Sequence, residues 1–366
     1  MSNISRPQRG LRNAPLRRRG RASTRGRGRA RRGRGRAVLI TLSVLVAATA
    51  GAGYWLYSNL NGNIKGVDIE TALGDDRPER LAASGQNILV LGSDSRAGAN
   101  ASLHAGTASG ARSDTALVVH IPQGRTRAVA VSIPRDTLVT RPECITAGGS
   151  TLPGARRVMF NSVYAVAGPA CVVKTVEEMS GVRMDHYIEI DFAGFKKLVD
   201  AIGGVTVTVD QDIHDPYSGL NLTAGTHRLD GTRSLQFVRT RHGIGDGSDL
   251  GRIGLQQQFL FALMSQIKEQ DLLGSPAEAY TIADALTATL TTDSQLASLT
   301  KLAEFARSLK GVDPSSTRTI TLPVEYDKKD PNRVIAAQPQ AHTLWQAVRT
   351  DSAVPVSATI SPTTGG

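Results

Sequence analysis

An uncharged apolar segment, residues 37–57, constrains this chain more than any other feature. Its 21 residues read AVLITLSVLVAATAGAGYWLY. Because a helix rises about 1.5 Å per residue, the segment is long enough to cross the roughly 30 Å hydrocarbon core of a bilayer. Tyr54, Trp55 and Tyr57 stand at its end, where aromatic rings favour the membrane interface. The sequence therefore predicts one transmembrane helix close to the N-terminus.

The charge pattern predicts which way this helix is oriented. Residues 1–36 hold fourteen of the 43 basic residues, all Arg, and no acidic residue, which leaves 29 basic and 32 acidic residues in the rest of the chain. The positive-inside rule then predicts a cytoplasmic Arg-rich tail, with residues 58–366 outside the cell. The tail is either a solvated topology signal with no further role or a segment that also meets anionic lipid headgroups. Nucleic acid is not an expected partner, because the tail has no aromatic ring for base stacking.

A cleaved signal peptide is the alternative, since Ala48-Thr49-Ala50 resembles a cleavage site. The apolar run exceeds the roughly 7–15 residues of a signal-peptide core, which favours an uncleaved anchor. Composition then divides the outer part into a polar stalk (58–86), a catalytic domain (87–350) and a flexible tail (351–366).

The two cysteines of the chain, Cys144 and Cys171, both lie in the predicted external domain. An oxidising compartment favours a disulfide between them. The sequence alone also allows two separate buried thiols, because it does not give the distance between them.

Short apolar or alternating segments bounded by turn residues predict strands at 87–91, 115–121, 128–133, 187–190, 205–209 and 319–322. The Pro122-Gln123-Gly124 turn predicts an antiparallel pairing of the second and third strands. Helices are predicted at 169–179, after Asp191, and at 231–238, 252–268, 276–289 and 294–309. This interleaving predicts an α/β fold with a central mixed β-sheet covered by helices on both faces.

Acidic and Arg residues stand where the predicted strands begin or end, and no P-loop, zinc-ligand spacing or GxSxG motif is present. They are Asp94, Arg112, Asp114, Arg135, Asp136, Arg239, Arg241, Asp249 and Arg252, with Gln256 one helical turn later. Carboxylates suit Mg²⁺, and Arg binds phosphate oxygens through two parallel hydrogen bonds. From spacing alone, phosphate chemistry and surface ion pairs remain equal alternatives.

Seven segments in order resemble the LytR-CpsA-Psr family: NILVLGSDSR, RSDT, SIPRDT, NSVYAVAGP, DFAGFKKLVDAIGGV, FVRTR and DLGR. The resemblance runs from about Asn87 to Ile267. It implies the family's mixed sheet between helices, an apolar tunnel for a polyprenyl chain, and Mg²⁺ or Mn²⁺ as cofactor. It also implies transfer of a glycopolymer from a polyprenyl-pyrophosphate carrier to peptidoglycan.

The resemblance also implies a role for each matched residue. Asp94 and Asp114 would bind the metal. Asp249 or Asp136 would orient or deprotonate the acceptor hydroxyl. The pyrophosphate would lie among Arg112, Arg135, Arg239, Arg241, Arg252 and Gln256. Two alternatives use the same scaffold: a polyprenyl-pyrophosphate hydrolase, and a non-catalytic lipid-binding regulator, which is suggested by Met159 and Leu255 at positions where the family often has cations.

Overall fold

The computed structural model describes residues 27–81, 85–93, 113–146, 148–241, 249–269 and 275–359, with the backbone alone at 27–37, 113–114, 249–250, 269 and 314. The chain divides into two compact units, residues 1–56 and 57–366.

The described helices are α1 Arg27–Asn63, α2 Ile69–Leu73, α3 Phe160–Ser180, α4 Phe192–Ala201, α5 Gly231–Arg239, α6 Asp249–Glu269, α7 Pro276–Thr289, α8 Leu299–Ser308 and α9 Gln340–Arg349. The strands are β1 Lys65–Val67, β2 Gln86–Ser93, β3 Ser113–Ile121, β4 Val129–Ile133, β5 Leu138–Arg141, β6 Cys144–Ile145, β7 Thr151–Leu152, β8 Ala155–Met159, β9 His186–Asp191, β10 Val205–Val209, β11 Ile213–Asp215, β12 Leu220–Leu222, β13 Gly225–Leu229, β14 Leu290–Asp293, β15 Arg318–Thr321, β16 Val324–Asp327 and β17 Asp330–Ala336.

Helix α1 contains the segment that the sequence predicts to span a membrane. Within its portion Val38–Asn63 an 18-residue window has a mean hydropathy of 1.7, and the side chains of residues 38–56 are exposed. In length and composition this helix is able to cross a bilayer. The Arg-rich tail up to residue 26 lies outside the described residues.

The outer unit is built on a seven-stranded mixed sheet with the strand order β1-β14-β9-β2-β3-β4-β15. The predicted α/β architecture is thus confirmed, and β3 and β4 form the predicted antiparallel pair. Strands β2 and β9 run parallel, and β3 is antiparallel to both β2 and β4. The ends of β2, β4 and β9 therefore lie at the same end of the sheet as the start of β3.

The two faces of the sheet are covered by different helices. On one face α3 and α9 complete a large buried cluster that includes Leu89, Val118, Phe160 and Leu344. On the other face the buried cluster is small, and Phe305 of α8 is only partly buried against it. A third cluster joins α4, α5 and α6 to the small strands β10–β13.

Residues 58–86, the predicted stalk, are largely part of the folded unit instead. Strand β1 pairs with β14 at the edge of the main sheet. Ile69 and Leu73 of α2 are buried in the large cluster, and the guanidinium of Arg77 donates hydrogen bonds to Glu177 on α3. The prediction was wrong because these contacts join residues far apart in sequence, and a three-residue strand carries no periodicity.

Two further segments differ from expectation. The predicted flexible tail is ordered as far as Thr359, since Val354 and Ala358 are buried in the large cluster. Helix α3 starts at Phe160 rather than at Pro169, and its backbone is non-helical only at Gly168, where φ is +75°. A Pro that follows a Gly resembles a helix start, which explains the sequence prediction.

A disulfide joins Cys144 on β6 to Cys171 on α3, with their Cα atoms 5.5 Å apart. The bond fastens the β6–β7 hairpin to the large cluster, in which both cysteines are buried.

Candidate active site

An open cleft of about 290 Å³ lies at the end of the sheet where β4 and β9 finish and β3 begins. Five of the residues predicted from sequence line it: Arg135, Arg239, Arg241, Arg252 and Gln256. These residues come from three separate parts of the chain. The structure therefore brings together side chains that the sequence predicts to bind one diphosphate.

Each arginine reaches the cleft from the end of an element. Arg135 comes two residues after β4, and Arg239 is the last residue of α5. Arg252 lies in the first turn of α6 and is only 5% exposed. The guanidinium of Arg239 lies over the ring of Phe192, 5.1 Å from its centroid, where the ring face attracts a cation.

Thr240 explains why Arg239 and Arg241 reach the same cleft. It is fully buried, and its hydroxyl donates to the Gln236 carbonyl at 2.9 Å. The same hydroxyl is 2.8 Å from the hydroxyl of Ser218. Because α5 ends at Arg239 and the backbone is extended at Thr240, residues 239 and 241 both line the cleft while Thr240 is held inside.

Asp136 lies between two of the arginines. One of its carboxylate oxygens is 3.8 Å from Nε of Arg135 and 3.7 Å from Nη2 of Arg241. All three side chains are partly exposed, at 21–30% of their area. This geometry lets Asp136 hold two guanidinium groups beside each other.

Asp215 is a cleft residue that the sequence analysis missed. It is 1% exposed, and its carboxylate accepts hydrogen bonds from the backbone N–H groups of Tyr217, Ser218 and Arg241 at 2.9, 3.3 and 2.9 Å. Its role is to fix backbone, and it connects the β11–β12 turn to the arginine pair. The only signal in the sequence is an Asp-Pro turn after a three-residue strand.

Gln256 links three elements at the cleft. Its amide nitrogen donates to the Thr115 hydroxyl and to the Val238 carbonyl, each at 3.0 Å. These bonds hold the first turns of α6 against β3 and the end of α5. Leu255, beside it, points the other way and is buried with Phe259 in the third cluster, which gives a packing reason for an apolar residue there.

The remaining predicted residues are not described in full. Asp94 and Arg112 lie outside the described residues, as do the side chains of Asp114 and Asp249. The backbone register pairs Ser93 with Ser113, so the residues just before Asp94 and Asp114 are neighbours on adjacent strands. Among the described side chains, no group of three or more His, Cys, Asp or Glu is arranged to hold a metal.

The cleft combines positive charge with nearby apolar surface. Four arginines line it, and the Asp136 carboxylate lies beside two of them. Farther along α6 a run of apolar side chains is only partly buried: Leu260, Phe261, Leu263 and Met264. Such a site suits a ligand with a diphosphate at one end and a hydrocarbon chain at the other.

The mixed sheet, its helical layers and the arginine-lined cleft define an α/β domain that follows an apolar helix in the chain. Residues 56–350 match the LytR_cpsA_psr family, and the chain belongs to that family.

Two curated relatives and one solved structure illustrate the similarity. Cell wall biosynthesis protein LcpA of Corynebacterium glutamicum is 31% identical over 300 residues, which cover 74% of this chain and 56% of LcpA. The chain thus spans little more than half the length of that relative. The polyisoprenyl-teichoic acid–peptidoglycan teichoic acid transferase TagT of Bacillus subtilis is 30% identical over 272 residues, 71% of this chain and 78% of TagT. A LytR-Csp2A-Psr enzyme from Actinomyces oris shares the fold with a TM-score of 0.58 at 24% identity, over 78% of this chain and 95% of the other.

Proposed function

We propose that this protein is a membrane-anchored phosphotransferase that moves a glycopolymer from a polyprenyl-pyrophosphate carrier onto peptidoglycan. The observation that carries the proposal is the convergence of Arg135, Arg239, Arg241 and Arg252 on one cleft. The family membership and the transferase activity in the name of TagT support the same chemistry.

The four arginines would bind the diphosphate and stabilise the charge that develops during transfer. Phosphoryl transfer needs mainly positioning and charge neutralisation, and both come from fixed guanidinium groups. Asp136 would keep Arg135 and Arg241 in place, and Gln256 would hold the floor of the cleft through Thr115 and Val238.

The reaction forms one bond and breaks one. A hydroxyl of the peptidoglycan glycan attacks the phosphorus that carries the polymer, and the bond to the bridging oxygen breaks. Polyprenyl phosphate leaves, and the polymer is joined to peptidoglycan through a phosphodiester. The hydroxyl proton passes to a carboxylate, for which Asp249 and Asp136 are the candidates.

A divalent cation fits the donor set. Asp94 and Asp114 follow two residues that are paired on adjacent strands, and carboxylate oxygens are the ligands that Mg²⁺ or Mn²⁺ prefers. When bound, the ion would neutralise negative charge on the diphosphate.

The proposed topology follows from the apolar segment and the Arg-rich tail of the sequence. In the proposed topology the Arg-rich tail is cytoplasmic, where it meets anionic lipid, and the domain is extracellular.

The test uses the full chain in lipid nanodiscs with a synthetic prenyl-pyrophosphoryl oligosaccharide as donor and uncrosslinked peptidoglycan strands as acceptor. We expect mass spectrometry to detect the phosphodiester adduct. Arg239→Ala combined with Arg241→Ala should lower its rate by about 100-fold or more, because donors aimed at developing charge contribute at least that much. The melting temperature should stay unchanged, since both side chains lie at an open cleft.

Arg233→Ala is the matched control, because Arg233 is an exposed residue of the same helix that does not line the cleft. Its adduct rate should equal that of the wild type. Full adduct formation by the double variant would contradict the proposal. Release of the glycan phosphate into water, with no adduct even when acceptor is present, would favour the hydrolase instead.

A further inference from the structure

Tyr217 lines the cleft with the arginines, yet 80% of its surface is exposed. Large aromatic side chains contribute most to stability when they are buried, so this ring adds little to the fold. An aromatic ring presented to solvent beside an anion-binding cleft is typical of a binding surface.

The turn that carries Tyr217 is held rigidly. It connects β11 and β12, whose residues Ile213 and Leu220 are buried in the third cluster. The Gly219 N–H donates to the Asp215 carbonyl at 2.9 Å, and the φ of +76° at Gly219 suits glycine. With the Asp215 carboxylate holding the Tyr217 N–H, the backbone that carries the ring is fixed before any ligand binds.

The same carboxylate joins the backbone of Tyr217 to the backbone of Arg241. Asp215 accepts from the backbone N–H of Tyr217 through one oxygen and from that of Arg241 through the other. The Ser218 hydroxyl adds a second link to the segment after α5 through Thr240. Whatever Tyr217 contacts must therefore lie next to a phosphate held by Arg241.

A phosphate group gains nothing from a flat apolar face, but a sugar ring does. The C–H face of a pyranose is apolar and packs on an aromatic ring, while its hydroxyls need polar partners at the edge, such as the Ser218 hydroxyl. We infer that Tyr217 forms a stacking subsite for a sugar ring directly beside the diphosphate. This assignment rests on the proposed glycan transfer, and it makes the 216–219 turn a determinant of which glycan is accepted.

The sugar belongs either to the donor, next to its pyrophosphate, or to the acceptor strand. Three probes separate these sources in binding measurements on the full chain in nanodiscs. They are farnesyl pyrophosphoryl-N-acetylglucosamine, farnesyl pyrophosphate without sugar, and the tetrasaccharide of β1,4-linked N-acetylglucosamine.

We expect Tyr217→Ala to weaken binding of a sugar-bearing probe by about tenfold, as loss of a central aromatic contact does. Farnesyl pyrophosphate should bind the variant as well as the wild type. Tyr217→Phe should retain wild-type affinity, because the ring and not the hydroxyl makes the contact. Tyr326→Ala is the matched control, since Tyr326 is 45% exposed and does not line the cleft.

Loss confined to the pyrophosphoryl sugar assigns the subsite to the donor, and loss confined to the tetrasaccharide assigns it to the acceptor. The inference is overturned if both sugar probes bind Tyr217→Ala normally, or if farnesyl pyrophosphate is weakened equally. Failure of the proposed function looks different: the wild type would not bind farnesyl pyrophosphate, and the double variant Arg239→Ala/Arg241→Ala would change no affinity. The tetrasaccharide measurement would still decide the role of Tyr217 in that case.

Discussion

Arg77 and Arg241 carry the same side chain in two different surroundings. The side chain of Arg77 is 2% exposed and donates to Glu177, to Glu70 and to the Met184 carbonyl at 2.6–3.0 Å. Arg241 is 30% exposed, and its guanidinium nitrogen lies 3.7 Å from Asp136, beyond direct hydrogen-bonding distance. The first arginine is saturated by protein acceptors inside the core. The second belongs to a group of four arginines that line an open cleft.

The difference shows how a structural arginine is told from a ligand-binding one. Both occur in short polar stretches of sequence, and both lie near acidic residues. Their exposure separates them, because loss of the partner leaves a buried charge uncompensated, whereas the guanidinium of a cleft arginine is accessible to a ligand. Substitution in the buried Arg77 pair should therefore lower stability, whereas substitution of the cleft arginines should lower ligand binding and leave stability unchanged.

The largest effect on stability is expected from Glu177→Ala. Glu177 is 2% exposed, and its removal leaves the Arg77 charge buried without its main partner. We expect the free energy of unfolding to fall by about 3–5 kcal/mol. Urea titration of the full chain, followed through the buried Trp345, measures this change. The comparison fails if Glu177→Ala costs no more stability than Arg239→Ala with Arg241→Ala.

A somewhat smaller loss is expected when the disulfide is removed. Cys144→Ser with Cys171→Ser opens a loop of 27 residues, which corresponds to about 3–4 kcal/mol in the chain-entropy model. Diphosphate affinity of the remaining folded protein should not change, because neither cysteine lines the cleft. Melting temperatures with and without reductant test this. A wild-type melting temperature that is unaffected by complete reduction would argue against a stabilising bond.

The smallest effect concerns pH and His120, at the opposite end of β3 from the cleft. Its ring nitrogens contact Asn87 at 2.8 Å and Asp351 at 3.2 Å. Burial lowers the pKa of His120 below its ordinary value, although the bond with Asp351 acts in the opposite direction. The unfolded chain, with a His pKa of about 6.5, therefore binds this proton more readily than the folded protein.

Stability from His120 is thus present above about pH 6.5 and is lost as the pH falls through the lower folded pKa. Between pH 7 and pH 5 the wild type should lose more free energy of unfolding than His120→Gln. The cleft arginines keep their charge over this range. The loss of stability at low pH should therefore come from the His120 end of the sheet and not from the cleft. If the free energy of unfolding falls equally with pH in the wild type and the variant, His120 does not contribute to the pH dependence of stability.

Much of the cleft was predictable because its charged residues stand at element ends. Arg135 follows β4 by two residues, and Arg239 ends α5. The apolar periodicity of the sequence indicates where each strand or helix ends, and the pairing of neighbouring strands brings those ends together. The capping role of Asp191 was predicted in the same way, and its carboxylate accepts from the Gly194 N–H at 2.7 Å.

What the sequence did not reveal depends on distant partners. Asp215 resembles any turn residue until its carboxylate is seen to hold the Arg241 backbone, 26 residues away. Arg77 resembles a stalk residue until Glu177, 100 residues later, is placed beside it. Periodicity describes one element at a time, so it cannot identify bonds between elements.

The Asp215 carboxylate has a consequence for how such proteins diversify. It anchors the 216–219 turn from within β11, so the residues at the tip are free to vary while the anchor and the Arg241 backbone stay in place. Under the proposed function, exchanging the tip between homologues should change the preferred polymer and leave the transfer chemistry intact. An exchange that also discards the aspartate should abolish the proposed transfer, and that loss would be mistaken for an incompatible substrate.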